Sequence, residues 1–527
     1  MGYPTRVQLI ARQDSQQWYI NFPAPLAAAM EFEKGEVIEW VIQDRQTLVL
    51  HRTAKTAAPK TRGAGKKKTI ALFPYLGALW EECMDVFRQQ RTWNRAWRLG
   101  ISQLACVGRH TVTGLLSTAG RQFIDWTSDY RLYSQDCWNP RELFVPVARG
   151  ILEMLPAADP VVAAVDDTVI RKTGTKIPGV AYRRDPLSPP FQVNLVRGQR
   201  FLQLSALLPA AGVPGPARAI PLRFEHVPSV PKPRKKASSE EWQAYRQQRR
   251  RQNLNTQAVE VLQQMRTELD ERHGARERPF IVGVDGGYTN EVVLKGLPER
   301  TTLIGRIRKD ADLYHALRSE DQRPVGTTRH YGQPASTPEE LRQDDTMPWQ
   351  EVTAFAAGRK HAFRVKTIAP IFWKKAGARC PLRLVVIAPV GYRLRKGSKL
   401  LYRQPAYLIC TDPDLPLEQI LQYYLWRWVI EVNHRDEKQI IGVGEAQVRA
   451  PQSVDRQPAF AVVSYAMLLL AAAQAFGSDA RQGLLPLPKW QEKTARPRLS
   501  TQELIRQLRS EVWAEALDRI QTIPTTS

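Results

Sequence analysis

Residues 417–441 read LEQILQYYLWRWVIEVNHRDEKQII. Four residues in this stretch, Tyr424, Arg427, Glu431 and Lys438, follow one another at intervals of three, four and seven. At about 100° per residue, an α-helix gathers all four on one narrow stripe of its surface, beside an apolar stripe that can pack on a sheet. The alternative is a solvated helix face with i,i+4 pairs, each worth only a few tenths of a kcal/mol.

Two apolar segments elsewhere in the chain run into acidic residues. Asp166 and Asp167 follow residues 161–165, and Asp285 follows residues 280–284. Both segments are short, continuous apolar runs, a pattern typical of buried strands. Aspartate is also common in turns after strands, so either segment alone is explained as readily by structure as by function. A carboxylate on a helix that packs against these strand ends would complete a set of three acids.

Asp-Asp-Thr after one strand, Val-Asp-Gly after a later one and Y-x2-R-x3-E-x6-K on a helix together resemble the DDE transposases of bacterial insertion sequences. The resemblance covers residues 160–475 and implies an α/β fold with an RNase H-like, mixed-sheet catalytic core. It implies that the catalytic acids are Asp167, Asp285 and Glu431, with Asp166 as the alternative first acid. Tyr424, Arg427 and Lys438 would be the accompanying catalytic signature.

Three carboxylates in one pocket repel one another and stay ionised together only when hard divalent cations lie between them. Two such ions about 3.5 to 4 Å apart activate an attacking oxygen and stabilise a leaving oxygen in phosphoryl transfer. We therefore expect two Mg²⁺ or Mn²⁺ ions, bound by Asp167, Asp285 and Glu431. The chain offers no His or Cys cluster of the kind that binds zinc.

The chain is strongly basic: 76 Lys and Arg against 52 Asp and Glu give a net charge of +24 and an isoelectric point near 10.0. Such a charge favours a polyanionic partner, of which nucleic acid is the commonest and an anionic membrane surface the next. Bases near the predicted acids are candidates for DNA binding, though each could be an ordinary surface base: Arg171, Lys172, Arg306, Arg308, Lys309 and Arg435. The basic run at residues 232–251 is a DNA-tracking arm or a solvated linker.

The N-terminal residues form a separate β-rich pattern. Strands are predicted at residues 7–10, 18–22, 37–41 and 47–50, with a short helix at 26–30. A strand ending in Pro23, then a helix, then Gly35-Glu36-Val37 resembles the swapped-hairpin domain of AbrB-type regulators. The resemblance implies dimerisation and often DNA binding; a small β-unit used only for packing is the alternative.

Composition and periodicity divide the chain into seven predicted segments. The region before the catalytic core is helical, and the core is interrupted by a region similar to the β-rich insertion of many DDE transposases. The segments are an AbrB-like domain at 1–54, a basic linker at 55–70, a helical domain at 71–155, the first part of the core at 156–310 with a basic helical arm at 231–272, an insertion at 311–405 that is β-rich in its second half, the second part of the core at 406–477, and a tail at 478–527.

Five scattered cysteines and no apolar segment near the N-terminus indicate a reducing, cytoplasmic location. Residues 459–473 are apolar, but about 15 residues are too few for a spanning helix, which needs about 20, so no membrane partner is expected.

The sequence thus predicts a cytoplasmic, metal-dependent DNA transposase that cuts at the terminal inverted repeats of its element and joins a 3′ hydroxyl to target DNA. We expect a homo-oligomer, a dimer, in the active complex. One alternative is an endonuclease of the same fold without strand transfer. The other is a non-catalytic AbrB-type DNA-binding regulator with a decayed core, against which the complete set of acids and signature residues argues.

Overall fold

The computed structural model describes residues 7–12, 15–20, 38–42, 48–52, 71–318, 330–477 and 499–521, except 175, 186, 187, 190, 211 and 394–396. It divides into two compact units, Met1–Lys67 and Lys68–Ser527.

The described residues of the N-terminal unit form two antiparallel strand pairs. β1 (Val7–Arg12) pairs with β2 (Ser15–Ile20), and β3 (Ile38–Ile42) pairs with β4 (Leu48–Arg52). Four strands thus lie where alternation predicts them. The predicted helix at 26–30, the Gly35 step and the basic linker at 55–70 lie outside the described residues, and the AbrB-like assignment stays a prediction.

Helices occupy the region before the sheet of the second unit. They form where Trp, Leu and Arg recur at helical spacing, and their apolar faces share one core. The helices are α1 (Phe73–Glu81), α2 (Gln90–Ala105), α3 (Val112–Thr118), α4 (Thr127–Ser134) and α5 (Val145–Met154).

The central sheet begins with an antiparallel meander and continues with parallel strands. β7 lies between β5 and β8, while β9 and β10 run parallel to β5 on its other side, giving the order β8-β7-β5-β9-β10. The short β6 pairs with the first part of β7. This is the strand arrangement of an RNase H-like core. The bounds are β5 (Val161–Arg171), β6 (Ala181–Arg184), β7 (Leu195–Pro209), β8 (Ala217–His226), β9 (Phe280–Val284) and β10 (Thr301–Arg306).

Three helices lie between these strands in the sequence. α6 (Ser239–Arg251) and α7 (Leu254–Glu271) follow β8, and α8 (Glu291–Gly296) follows β9. A capping box fixes the start of α6: Ser238 and Glu241 each accept a hydrogen bond from the backbone N–H of the other.

The predicted insertion continues the core sheet beyond β10. β17 pairs antiparallel with β10, and β14, β13 and β12 follow in that order, so that in the described part of the chain eleven strands form one sheet. The elements are β11 (Leu313–Tyr314), α9 (Pro338–Gln343), β12 (Gln350–Ala356), β13 (Arg359–Trp373), β14 (Leu382–Ile387), β15 (Gly391–Tyr392), β16 (Leu401–Tyr402) and β17 (Ala406–Cys410).

Four helices complete the second unit: α10 (Leu417–Trp426), α11 (Val429–Gln439), α12 (Pro451–Phe476) and α13 (Thr501–Gln521). α12 is long and apolar enough to cross a membrane, but 94% of its most apolar window is buried inside the protein. The ring of Phe460 lies within 6 Å of Trp80, Tyr133 and Trp138, which join α12 to the helical region. Its apolar composition therefore reflects packing on several sides.

The C-terminal residues, in which the sequence pattern reveals no motif, dock against the helical region. Glu511 on α13 accepts hydrogen bonds from the backbone amides of Leu72 and Phe73, at the start of α1. Arg509 donates to the carbonyls of Ala105 and Cys106 at the end of α2. One helix thus satisfies backbone groups that two helix ends leave open.

Candidate active site

The first pair of acids lies inside a strand. The sequence predicted a strand that ends before Asp166, but β5 continues to Arg171 because it pairs antiparallel with β7 along this stretch. Its parallel ladder with β9 runs only as far as Ala164, opposite Gly283, since β9 ends one residue later. Asp166 and Asp167 therefore lie on β5 beyond the end of β9, where β5 is still paired with β7 on its other side.

The two adjacent acids point to opposite faces of the sheet, because side chains alternate along a strand. Val162 and Ala164 belong to the apolar cluster that contains the buried face of α10, whereas Val165 belongs to the other core. Asp166 shares the α10 face, and the Nε2 atom of His434 on α11 lies 4.0 Å from its Oδ2. Asp167 faces the opposite side.

Asp285 follows β9 directly. Its Oδ1 accepts a hydrogen bond of 2.8 Å from the backbone N–H of Gly287, which fixes the turn after the strand. A Cβ at Gly283, two residues earlier, would lie 3.4 Å from the Cβ of Arg427, so the break between α10 and α11 packs closely on this strand. Continuing the β5–β9 register by two residues brings Asp166 beside Asp285 on this same face.

The signature stretch forms two helices, not the single helix that the sequence predicts. Backbone bonds from Arg427 to Tyr424 and from Glu431 to Trp428 span three residues, and they separate α10 from α11. The signature residues stay together across this break: Arg427 lies over the ring of Tyr424 and donates a 3.1 Å hydrogen bond to Glu431. Glu431 is in the first turn of α11, where the helix dipole favours a carboxylate.

The electrostatics of the acids differ. Burial raises the pKa of Asp166 to about 6, against the opposing effect of His434. Burial alone would lower the pKa of Arg427, but Tyr424 and Glu431 raise it, so its guanidinium is a permanent positive charge. Partial burial lowers the pKa of Lys438, and the negative charges of Glu437, Asp166 and Asp167 oppose this shift. Lys438 is thus within electrostatic reach of the acids on β5.

Three side chains at the site carry no sequence motif. The hydroxyl of Tyr288 donates to Asp167 at 3.0 Å, and Arg200 Nε lies 3.2 Å from the other oxygen of the same carboxylate. His434 is the third. Tyr288 follows Asp285 by three residues, which is a weak signal, while Arg200 reaches the site only through the pairing of β7 with β5.

The predicted DNA-binding bases divide into exposed and buried ones. Arg306 at the end of β10 is exposed, as are Arg308 and Lys309 just after it. Arg435 is exposed on α11, and Arg171 is exposed and pairs with Asp185.

Lys172 differs from this prediction. It is only 3% exposed, and its ammonium group donates 2.8 Å hydrogen bonds to the carbonyls of Gly444 and Ala446. Lys172 directly follows β5, and its buried side chain anchors a loop in the interior, whereas Arg171, the last residue of β5, is exposed.

Carboxylate oxygens are the ligands that Mg²⁺ and Mn²⁺ prefer. In the described part of the chain, no three His, Cys, Asp or Glu side chains are close enough to hold a metal ion as they stand. The guanidinium groups of Arg427 and Arg200 pair with Glu431 and Asp167, so they balance charges that a bound metal ion could also balance. The raised pKa of Asp166 indicates a buried carboxylate whose charge is incompletely balanced, so the donor chemistry fits a divalent cation.

Residues 82–370 match the family described as DDE superfamily endonuclease, over more than half of the chain. The chain belongs to this family. DDE endonucleases act on DNA and typically use divalent metal ions, which agrees with the carboxylates at the edge of this sheet. The matched range contains Asp166, Asp167 and Asp285 and ends before α11, so Glu431 rests on the signature and the packing. No curated protein sequence matches the chain.

Proposed function

We propose that this DDE endonuclease is a DNA transposase that cuts at the terminal inverted repeats of its element and joins the freed 3′ hydroxyl to target DNA. One observation carries the proposal: Arg427, which binds Glu431, packs over Gly283, two residues before Asp285. This contact supports the proposal, because it packs the signature stretch against the strand that leads into Asp285, although about 145 residues separate Asp285 from Glu431.

The acids of this site would be Asp166, Asp285 and Glu431. The register of β5 with β9 and the contact with His434 favour Asp166 as the first acid, on the face that α11 covers. The resemblance to DDE transposases favours Asp167, which remains the alternative. These carboxylates would hold two Mg²⁺ or Mn²⁺ ions, which supply activation of the attacking oxygen and stabilisation of the leaving oxygen.

The remaining residues orient the acids and neutralise phosphate charge. Arg427 holds Glu431 in place, and Tyr288 and Arg200 hold Asp167. The exposed bases after β10, together with Lys438, are suited to bind phosphate oxygens of DNA that approaches this edge of the sheet.

We also propose a cytoplasmic homodimer as the active complex, with an AbrB-like unit at residues 1–54 as the dimerising element. The ends of an element are two copies of one sequence, so a two-fold symmetric protein can hold both in the same way. Removal of residues 1–54 should weaken self-association and leave Mg²⁺-dependent nicking measurable.

Incubation of the protein with end-containing DNA, an unrelated target plasmid and Mg²⁺ tests the function. Transposition predicts cleavage at the ends and covalent joining to the plasmid, both lost in the presence of EDTA. Cleavage without joining would instead establish an endonuclease without strand transfer, the second candidate, which the description of the family favours. Binding without cleavage would establish a regulator.

A further inference from the structure

A basic groove lies on the side of the sheet that Asp167 faces. It encloses about 870 Å³ between β6, β7 and α6, and no acidic residue is among the described residues that line it. Two aromatic side chains, Trp242 and Tyr245, line it together with five cations: Arg183, Arg200, Lys232, Arg246 and Arg249. We call this surface the basic groove.

One wall of the basic groove is a single face of α6. Trp242, Tyr245, Arg246 and Arg249 stand at positions i, i+3, i+4 and i+7, which an α-helix brings to one side. The Lys232 ammonium lies 5.8 Å from the ring centre of Trp242. Along this wall α6 thus presents two aromatic side chains followed by two cationic ones.

The other wall is part of the sheet. Arg183 on β6 donates a 2.8 Å hydrogen bond to Ser229, which orients its guanidinium. Burial and the neighbouring charge of Arg200 together lower the pKa of Arg183 to about 10, and the charge of Asp167 opposes this shift. Arg200 also lies 3.2 Å from Asp167, so the basic groove opens beside the acids of β5.

We propose that the basic groove binds an unpaired segment of DNA on the face of the sheet that Asp167 shares, opposite to the face of Asp166 and Asp285. The guanidinium groups would bind successive phosphates, and Trp242 and Tyr245 would stack on bases, a combination typical of single-strand binding surfaces. A cavity of this volume is in the range of pockets that hold small ligands, about 300–1,000 Å³, which suits one or a few unpaired nucleotides. The proposal rests on the proposed function only in taking DNA as the substrate.

Binding can be measured without catalysis, by fluorescence anisotropy of a labelled oligo-dT and a labelled duplex with the full-length protein in EDTA. Trp242→Ala should weaken oligo-dT binding about 5- to 150-fold, the range for loss of one base stack, and duplex binding much less. Trp513→Ala, at an exposed tryptophan on α13, is the matched aromatic control and should change neither. Circular dichroism checks that each variant is folded.

Salt dependence tests the charged part of the basic groove. Arg249→Gln should reduce the slope of log K against log salt for oligo-dT by about 0.7, the contribution of one contact with a single-stranded phosphate. Arg250→Gln, on the same helix but outside the basic groove, is the matched control and should change the slope less.

A photocrosslink locates the strand directly. Oligo-dT carrying one 5-iodouracil should crosslink to Trp242 or Tyr245, as identified by mass spectrometry. The proposal is overturned if Trp242→Ala weakens duplex and oligo-dT binding equally, if Arg249→Gln matches Arg250→Gln, or if polyglutamate competes as well as oligo-dT of equal charge. Each of these results leaves cleavage by the acids untouched, and an inactive enzyme that passes these tests would overturn only the catalytic proposal.

Discussion

The hydroxyl of Tyr288 donates a hydrogen bond to Oδ1 of Asp167 at 3.0 Å, which joins the loop after Asp285 to strand β5. Tyr288 is only 2% exposed. Burial and the charges of Asp167, Asp166 and Asp285 hold its pKa well above 10, so the group is a hydrogen-bond donor at neutral pH. Tyr288 thus interacts with acids of β5 and with Asp285 after β9, and its hydrogen bond holds these two parts of the site together.

Tyr288→Phe should lower both stability and cleavage. A hydrogen bond to a charged group contributes about 1.5–3 kcal/mol, and the variant leaves Asp167 with one donor fewer. Chemical denaturation should show a loss of about this size, and the rate of end cleavage should fall while affinity for DNA stays the same. Tyr182→Phe, at an exposed tyrosine, is the control. An unchanged cleavage rate in Tyr288→Phe would mean that Asp167 needs no orientation from this residue.

Asp285→Asn and Glu431→Gln should each abolish cleavage, with DNA binding largely intact. Each change removes one ligand charge with almost no change in volume, and several kcal/mol of transition-state stabilisation corresponds to about 10³-fold or more in rate. The measurement is end cleavage in Mg²⁺ beside affinity in Ca²⁺. Near wild-type cleavage by either variant would contradict the assignment.

Asp166→Asn should be more damaging to cleavage than Asp167→Asn. The continued register of β5 with β9 puts Asp166 on the same face as Asp285, and His434 on α11 lies 4.0 Å from it, whereas Asp167 faces Arg200 and Tyr288. Asp167→Asn keeps an oxygen that can still accept a hydrogen bond, so a partial loss of rate is expected. The reverse ranking would move the first acid to Asp167, as the resemblance has it.

The signature residues stay together although the helix that carries them is interrupted, which the sequence did not predict. The periodicity of residues 417–441 suits one helix, yet the helix is interrupted at Arg427 and Trp428, and α10 and α11 pack on different strands of the sheet. The strand acids were predictable from apolar runs that end in aspartate. Arg200 was not, since its place beside Asp167 depends on a register between β5 and β7 that no local pattern encodes.

Arg171 and Lys172 show the same limit at adjacent positions. The sequence assigned both to DNA, because strand alternation cannot be applied until the end of β5 is known. The structure turns Arg171 outward, where 71% of its side chain is exposed, and buries Lys172. Charge alone therefore missed the structural role of the buried base, while the DNA-binding role of Arg171 stays a prediction.

Lys172→Met should destabilise the protein without a specific loss of DNA affinity. It removes two hydrogen bonds and leaves the carbonyls of Gly444 and Ala446 unsatisfied, at a cost of about 2–4 kcal/mol. Arg171→Met should do the opposite: stability within about 0.5 kcal/mol of wild type, and a salt slope for DNA binding reduced by up to about one unit. Denaturant titration measures the stability of both variants, and anisotropy measures their DNA binding. Equal changes in the two variants would contradict the different roles assigned to Lys172 and Arg171.

Asp166→Asn should stabilise the metal-free protein, and increasingly so as pH rises. The pKa of Asp166 is about 6 in the folded protein against an ordinary value of 3.8, so the folded state binds the proton more tightly. Below about pH 4 the carboxyl is protonated in both states. As pH rises from about 4 to 6, the folded protein loses up to about 3 kcal/mol of stability, and above pH 6 the loss is constant.

Melting temperatures in EDTA check this sign. The difference in melting temperature between Asp166→Asn and wild type should be small at about pH 4 and largest at about pH 7 and above. Mg²⁺ should then raise the melting temperature of the wild type more than that of the variant, because a bound cation offsets the charge that burial leaves unbalanced. Asp345→Asn, at an exposed aspartate, is the control. A difference that is independent of pH would mean that Asp166 is not held at a raised pKa, and would remove this support for its place among the metal ligands.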